Sequence, residues 1–215
     1  MFECVIFDLD GLMVDSERIT REIFTQEAKN LDIQLDEEFF EGIIGTTKKT
    51  SQAQFNRFKK LDENISYIRE KRFSQVFYEA KNNPNFYKKG LNELLEFLFK
   101  NNYKVAIATS SNRDYVDIVL KDYLNKYKFD AICTGDMVKN HKPDPEVFLL
   151  TASLCNVSSD KCLVLEDSRN GIIAAKNANM SAGFIYDTVK PNELIKSLYD
   201  YSFNSLNEVI DILKR

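Results

Sequence analysis

A chain of 215 residues, 44% of them hydrophobic, has enough apolar material for one full core and a smaller satellite unit, and too little for two large domains. Its 33 acidic and 29 basic residues give a formal net charge of -4 without blocks of one sign, which argues against a nucleic-acid footprint and leaves room for a small phosphorylated ligand held by one well-placed lysine. Four scattered cysteines without a Cys-x-x-Cys pair, and a single histidine, argue against a zinc site of Cys and His.

The N-terminal Met1-Phe2-Glu3-Cys4 carries neither a basic region nor a long apolar run, and no later stretch approaches the ~18 apolar residues of a membrane span. Cys4, Cys133 and Cys162 lie in strand-like apolar runs and read as small buried hydrophobes; Cys155 falls in a helical stretch. The expectation is a cytoplasmic protein with no membrane association.

The first predicted element is the strand at Val5-Ile6-Phe7, which delivers Asp8-Leu9-Asp10-Gly11 where the backbone must turn. Two carboxylates at a buried strand end repel each other unless a cation or a shared proton offsets the repulsion. Such a pair suits metal binding combined with nucleophilic attack or proton transfer. The alternative for a lone Asp-x-Asp-Gly is a solvated turn. From Ser16 to about Phe86 the pattern is helical, with Ile19, Ile23, Glu27 and Leu31 on one face and Phe73, Val76, Phe77 and Ala80 on another. Phe39, Phe40, Phe55, Phe58, Tyr67 and Phe73 are expected to form the core of this block, and Ile43-Ile44-Gly45-Thr46-Thr47 a turn between its helices.

From Tyr87 strands alternate with helices. After an apolar helical face at Leu91, Leu94, Leu95 and Leu98 come strand 104–109, helix 113–124, strand 131–133, helix 146–155, strand 162–165, helix 170–178 and strand 183–186. Alternation of this kind implies a parallel sheet of at least five strands with helices on both faces. Two short helices, around 193–198 and 206–213, close the chain.

Ligands of an open parallel sheet bind beyond the carboxyl ends of its strands. Strand two ends in Thr109-Ser110-Ser111-Asn112, which suits an anion at a helix N-terminus or plain helix capping. Strand three leads to His141-Lys142-Pro143-Asp144-Pro145, where the Asp-Pro helix start fixes Lys142 near the strand end. Strand four ends in a second acidic pair, Glu166-Asp167-Ser168. Two acidic strand ends with no Arg beside either pair call for a divalent ion.

In this order, Asp8-x-Asp10-Gly11, the strand ending in Thr109-Ser110, Lys142 in Lys-Pro-Asp-Pro, and Glu166-Asp167-Ser168 followed by Gly171 and Ala174-Ala175 resemble the four motifs of the haloacid dehalogenase superfamily. The helical insertion after the first motif is similar to the cap of its beta-phosphoglucomutase-like branch. The resemblance implies an α/β fold: a Rossmann-like parallel sheet with helices on both faces, formed by residues 1–15 and 87–215, and an all-helical cap of residues 16–86 inserted after strand one.

It also implies Mg2+-dependent phosphoryl transfer. Asp8 would attack phosphorus and Asp10 would act as general acid and base, keeping a proton while Asp8 stays ionised. Lys142, Thr109 and the backbone N–H of Ser110 would bind the phosphoryl oxygens, assisted by Ser111 and Asn112. Asp8, Asp167 and the backbone carbonyl of Asp10, with Glu166 directly or through water, would hold the Mg2+. The mutase of this branch has a His where this chain has Thr20 and a Lys where Ile44 precedes Gly45, so the expectation is a phosphatase acting on a sugar phosphate or similar metabolite, with the mutase as alternative. No obligate protein partner is implied, and Ser16, Thr20, Gly45, Thr46 and Lys48 are the candidates for substrate contact in the cap.

Overall fold

Short apolar runs that are hydrophobic on both faces, each followed by a helical segment, can bury their backbone and side chains only in a sheet covered on both sides. The computed structural model of the chain describes residues 1–43, 48–186 and 193–214. Strands β1 (Cys4–Phe7), β2 (Lys104–Ala108), β3 (Ala131–Cys133), β4 (Cys162–Glu166), β5 (Ser181–Ile185) and β6 (Tyr201–Phe203) form one sheet in the order β3-β2-β1-β4-β5-β6. All its pairings are parallel, with Cys4 opposite both Lys104 and Cys162. β1 is central, so its carboxyl end lies between those of β2 and β4, where the expected α/β fold needs its ligand crevice.

The insertion after β1 consists of α1 (Ser16–Asn30), α2 (Glu37–Ile43), α3 (Lys48–Asn56), α4 (Lys59–Glu63) and α5 (Ile65–Asn82). The chain then continues through α6 (Leu91–Lys100), α7 (Arg113–Val119), α8 (Lys121–Lys126), α9 (Glu146–Cys155), α10 (Arg169–Asn177), α11 (Glu193–Lys196) and α12 (Val209–Leu213). Alternate strand residues feed two separate cores, as the period of two requires. Val5, Phe7, Val105, Ile107, Leu163 and Leu165 pack with α6, α7 and α12, while Cys4, Ile6, Ala106, Ala108 and Val164 pack with α9 and α10. The insertion has its own core of Phe24, Ala28, Phe39, Phe40, Phe55, Leu61 and Ile68. The segments leaving and re-entering the sheet are tied to each other by Asp15 N–H to the Phe86 carbonyl (2.8 Å) and Lys88 N–H to the Met13 carbonyl (3.0 Å).

The structure departs from the sequence reading at several elements. The sheet has six strands, within the expected count of at least five, but the sequence does not mark β6 as an element, because its three residues are too short to show a period of their own and are recruited by pairing with β5. The helix expected over 113–124 breaks at Leu120, where the Tyr87 hydroxyl gives the Val119 carbonyl a partner from outside the helix (3.0 Å). Tyr67 and Phe73 are not part of the insertion's core, being 57% and 40% exposed. The face bearing Phe73, Val76 and Phe77 instead turns toward α7, with Phe73 and Phe77 against Tyr115 (centroids 5.7 and 6.0 Å apart) and Val76 in the core on that side of the sheet. All four cysteines are buried free thiols. No helix among the described residues is long and apolar enough to cross a membrane.

Candidate active site

The site is assembled from strand ends. Asp8 follows β1 and stays in the ladder through its N–H, which donates to the Leu165 carbonyl (3.0 Å). Lys142 precedes α9, where the Asp144 carboxylate accepts the Glu146 N–H (3.0 Å) and fixes the start of the helix. Its chain turns through a cis Lys142–Pro143 peptide bond. The buried ammonium then donates to Asp8 Oδ1 (2.5 Å), Glu166 Oε1 (2.6 Å) and the Ala108 carbonyl (3.0 Å). Ser168 has two roles: its Oγ caps α10 by accepting the Gly171 N–H (3.0 Å) and donates to Glu166 Oε2 (2.9 Å), which also accepts the Ser168 N–H. Glu166 is thereby clamped at both oxygens.

Burial and the charge on Glu166 push the Asp8 carboxyl well above the usual carboxylate range, against the pull of Lys142. Burial also works against the charge on Lys142, but Asp8 and Glu166 outweigh it and raise its pKa above the ordinary lysine value. The lysine is therefore charged. Asp8, Glu166 and Asp167 each bring an oxygen within 4.8 Å of the others. A divalent cation among these three carboxyl groups would offset their mutual repulsion and favour the ionised Asp8 that burial and Glu166 oppose. Hard carboxylate oxygens suit Mg2+, so the donor set fits that ion.

Two glycines make room for these carboxylates. A Cβ on Gly11, at φ +80°, would lie 2.0 Å from Asp167 Oδ2, and one on Gly171 would lie 1.8 Å from the Glu166 carboxyl carbon. Gly11→Ala and Gly171→Ala are each expected to lower unfolding free energy by about 1–3 kcal/mol, through backbone strain and overpacking respectively. Urea titration checks this, and wild-type midpoints would show that the carboxylates can step aside freely.

The Asp10 carboxylate stands outside the three-carboxylate group and faces hydroxyls. Its Oδ1 accepts from Ser16 Oγ (2.6 Å) and the Tyr115 phenol (2.7 Å), and its Oδ2 accepts from Ser111 Oγ (2.7 Å). Burial and the Asp10 charge hold the Tyr115 phenol well above its ordinary pKa, so it remains a donor. The insertion adds Arg72 of α5, whose guanidinium lies 3.5 Å from Asp10 Oδ1 and donates through Nε to Thr20 Oγ1 (2.7 Å). Thr109 is buried beyond β2 and its Oγ1 accepts the Ser111 N–H (3.0 Å), while Asn112 caps α7 by accepting the Tyr115 N–H (2.9 Å). A cavity of about 470 Å³ between sheet edge and insertion is lined by Asp8, Asp10, Thr109, Ser110, Ser111, Asn112, Lys142 and Glu166.

The model of the haloacid dehalogenase-like hydrolase family matches residues 5–185. The chain belongs to this family. It is 31% identical to a phosphorylated carbohydrates phosphatase of Thermotoga maritima over 99% of this chain and 98% of the relative. It is also 31% identical to a putative phosphatase of Bacillus subtilis over 97% and 94% of the two chains. Among solved structures, beta-phosphoglucomutase of Clostridium difficile superposes with a TM-score of 0.78 at 26% identity, covering 100% of this chain and 96% of that one. This haloacid dehalogenase-like hydrolase is an enzyme of the phosphatase type, in the beta-phosphoglucomutase-like branch with a helical cap.

Of the cap residues expected to meet substrate, Thr20 lines the cavity and its hydroxyl donates to the Ser16 carbonyl (2.9 Å), while Ser16 bonds Asp10. Ile44, Gly45 and Thr46 lie outside the described residues, as does the side chain of Lys48. Sequence reasoning missed Arg69, Arg72 and Tyr115, which also line the cavity. No strand-end motif marks the two arginines. Tyr115 did carry a signal: three residues after the capping Asn112, it falls within the first turn of α7, next to the motif.

Proposed function

We propose that this hydrolase cleaves a small phosphomonoester, a sugar phosphate or similar metabolite, through an aspartyl-phosphate on Asp8. The observation that carries the reading is the buried Asp8–Lys142–Glu166 triad beside Asp167 at the floor of a cavity of small-molecule size. Asp8 Oδ1 faces the ammonium, whereas Oδ2 makes no hydrogen bond with a described residue and is the oxygen free to attack. A phosphorus–oxygen bond to Asp8 forms as the bond to the alcohol breaks, and Asp10 gives the departing alkoxide a proton. Water then attacks the same phosphorus while Asp10 takes its proton, releasing inorganic phosphate and the Asp8 carboxylate. Splitting the displacement in two lets one positioned carboxyl group serve both steps.

Lys142 binds a phosphoryl oxygen from the position Glu166 fixes, and Thr109 with the backbone N–H of Ser110 binds the others as they gain charge. Ser111 and Asn112 stand next to them, orienting Asp10 and starting α7. Mg2+ held by Asp8, Asp167 and the Asp10 backbone carbonyl, with Glu166 directly or through water, would supply the positive charge that lets a carboxylate approach a phosphoryl dianion. Residues 1–15 and 87–215 act as the catalytic core and 16–86 as the cap, a division supported by the insertion's own aromatic core. A cytoplasmic location and a free metabolite as partner agree with four unpaired thiols.

Incubation with Mg2+ and a panel of sugar phosphates should release inorganic phosphate, and EDTA should abolish the release until Mg2+ is restored. Interconversion of glucose 1- and 6-phosphates without phosphate release would establish the mutase alternative, which the likeness to beta-phosphoglucomutase supports. Hydrolysis is favoured because Thr20, in place of the mutase's His, carries no ionisable group.

A further inference from the structure

The one histidine of the chain lines the cavity and has no part in the hydrolysis described above. His141 directly precedes Lys142, and its loop is pinned on both sides. The Glu146 carboxylate accepts the N–H groups of Lys139 and Asn140 (2.9 Å each), and the His141 carbonyl accepts the Asp144 N–H (3.0 Å). The Lys142 ammonium is anchored on Asp8, Glu166 and the Ala108 carbonyl. The backbone is therefore fixed, yet the half-buried imidazole has no polar partner among the described residues. Its Nδ1 is buried without a hydrogen bond, and its Nε2 bonds to no described residue either.

A histidine kept for packing gains stability when a backbone or carboxylate oxygen takes its N–H, since a buried nitrogen left without a partner bears its full desolvation cost. No such oxygen is provided here, so the ring gains only when a ligand supplies one. The sheet order decides which part of a ligand that is. Asp8 follows β1, which has β4 on one side and β2, then β3, on the other. Glu166 and Asp167 stand on the β4 side, whereas His141 follows β3. The start of the β3 loop packs tightly on the end of β2: the Gly135 N–H donates to the Ser111 carbonyl (2.8 Å), and a Cβ on Gly135 would lie 2.3 Å from the Ser110 carbonyl oxygen. A phosphoryl group seated on Asp8 thus has carboxylates on one flank and the β2 and β3 loops, with His141, on the other. An imidazole N–H suits an anionic oxygen on that second flank, where no carboxylate competes for it among Thr109, Ser110 and Lys142. We infer that His141 is a further catalytic residue, whose Nε2–H donates to a phosphoryl oxygen on the side away from Glu166 and Asp167. The inference rests on the hydrolase reading for the seating of the phosphoryl group on Asp8.

Because the chain has a single histidine, 15N-labelled histidine gives one pair of imidazole resonances. Titration of the labelled protein with inorganic phosphate, in Mg2+ and at constant pH, should shift the Nε2 resonance in step with the binding isotherm measured by calorimetry. His141→Leu should weaken phosphate binding and lower kcat/KM for a hydrolysed sugar phosphate by about tenfold each, the loss of one hydrogen bond to a charged group. Its urea midpoint should equal or exceed that of the wild type, because no hydrogen bond within the protein is removed. His141→Gln, whose amide nitrogen reaches about as far as Nε2, should stay within about threefold of wild-type affinity, whereas the shorter His141→Asn should resemble His141→Leu. A histidine that only supported its loop would give the reverse, a lower midpoint with phosphate affinity intact. That result, an imidazole resonance unmoved at saturating phosphate, or absence of phosphate binding would overturn the inference. Phosphate release from sugar phosphates by the wild-type protein judges the hydrolase reading separately.

Discussion

Asp8→Asn is expected to lower phosphate release by at least about 10³-fold, because an amide cannot form the acyl phosphate and the remaining groups bind the phosphoryl without attacking it. The fold should survive, since Asn has the same shape and the Asp8 backbone remains tied to β4. Asp10→Asn should behave differently. With an alkyl phosphate it should be nearly as damaged, because the leaving alkoxide then finds no proton. With an aryl phosphate such as p-nitrophenyl phosphate, whose leaving group needs none, the first step should proceed and the second stall. Stopped-flow absorbance should then show a burst of about one equivalent of phenolate followed by slow turnover. Small and equal losses in both variants, with folding intact, would remove the roles assigned to the two residues. So would a lack of leaving-group dependence in the Asp10 variant.

Lys142→Ala is expected to damage folding as well as activity. Its ammonium is the cation shared by Asp8 and Glu166, and all three groups are buried. Removing one partner of a buried ion pair leaves uncompensated charge behind, and losses of about 3–5 kcal/mol are typical. Urea unfolding in the presence of EDTA is the measurement, since a bound cation would mask part of the loss. The effect should be non-additive: in the Lys142→Ala background, Asp8→Asn should restore stability by removing one of the stranded charges. A loss under about 1 kcal/mol, or full additivity with Asp8→Asn, would mean that the triad is relaxed by solvent and that its short distances carry little energy.

Residues at strand ends were legible in the sequence because their surroundings are local. Asp8, Glu166 and Asp167 directly follow or end apolar runs that can only be buried strands, and Lys142 is pinned by the helix start that follows it. In a parallel sheet every such end falls on the same edge, so locating the strands already brings these residues together. The role of Glu166 was less legible. Its two oxygens are taken by Lys142 and Ser168, so it positions the lysine, a fact that depends on side-chain directions no spacing encodes. Phe73 was misread for a related reason. Its helical spacing showed that α5 has an apolar face, but a face can pack on either of two neighbours, and this one meets Tyr115 of α7.

Composition and periodicity by themselves determined the fold class, the helical insertion after the first strand and the acidic rim with its single lysine, because burial of apolar runs and parallel pairing follow from local pattern. The tertiary structure alone decided what surrounds that rim. It brought Tyr115, Ser16 and Ser111 onto Asp10, aimed Arg72 at the same carboxylate, and placed Arg69 over the Phe55 ring on the cavity wall. These groups come from elements far apart in the chain, and contact between them depends on how the insertion packs over the sheet edge, an arrangement that no single segment's hydrophobic pattern contains.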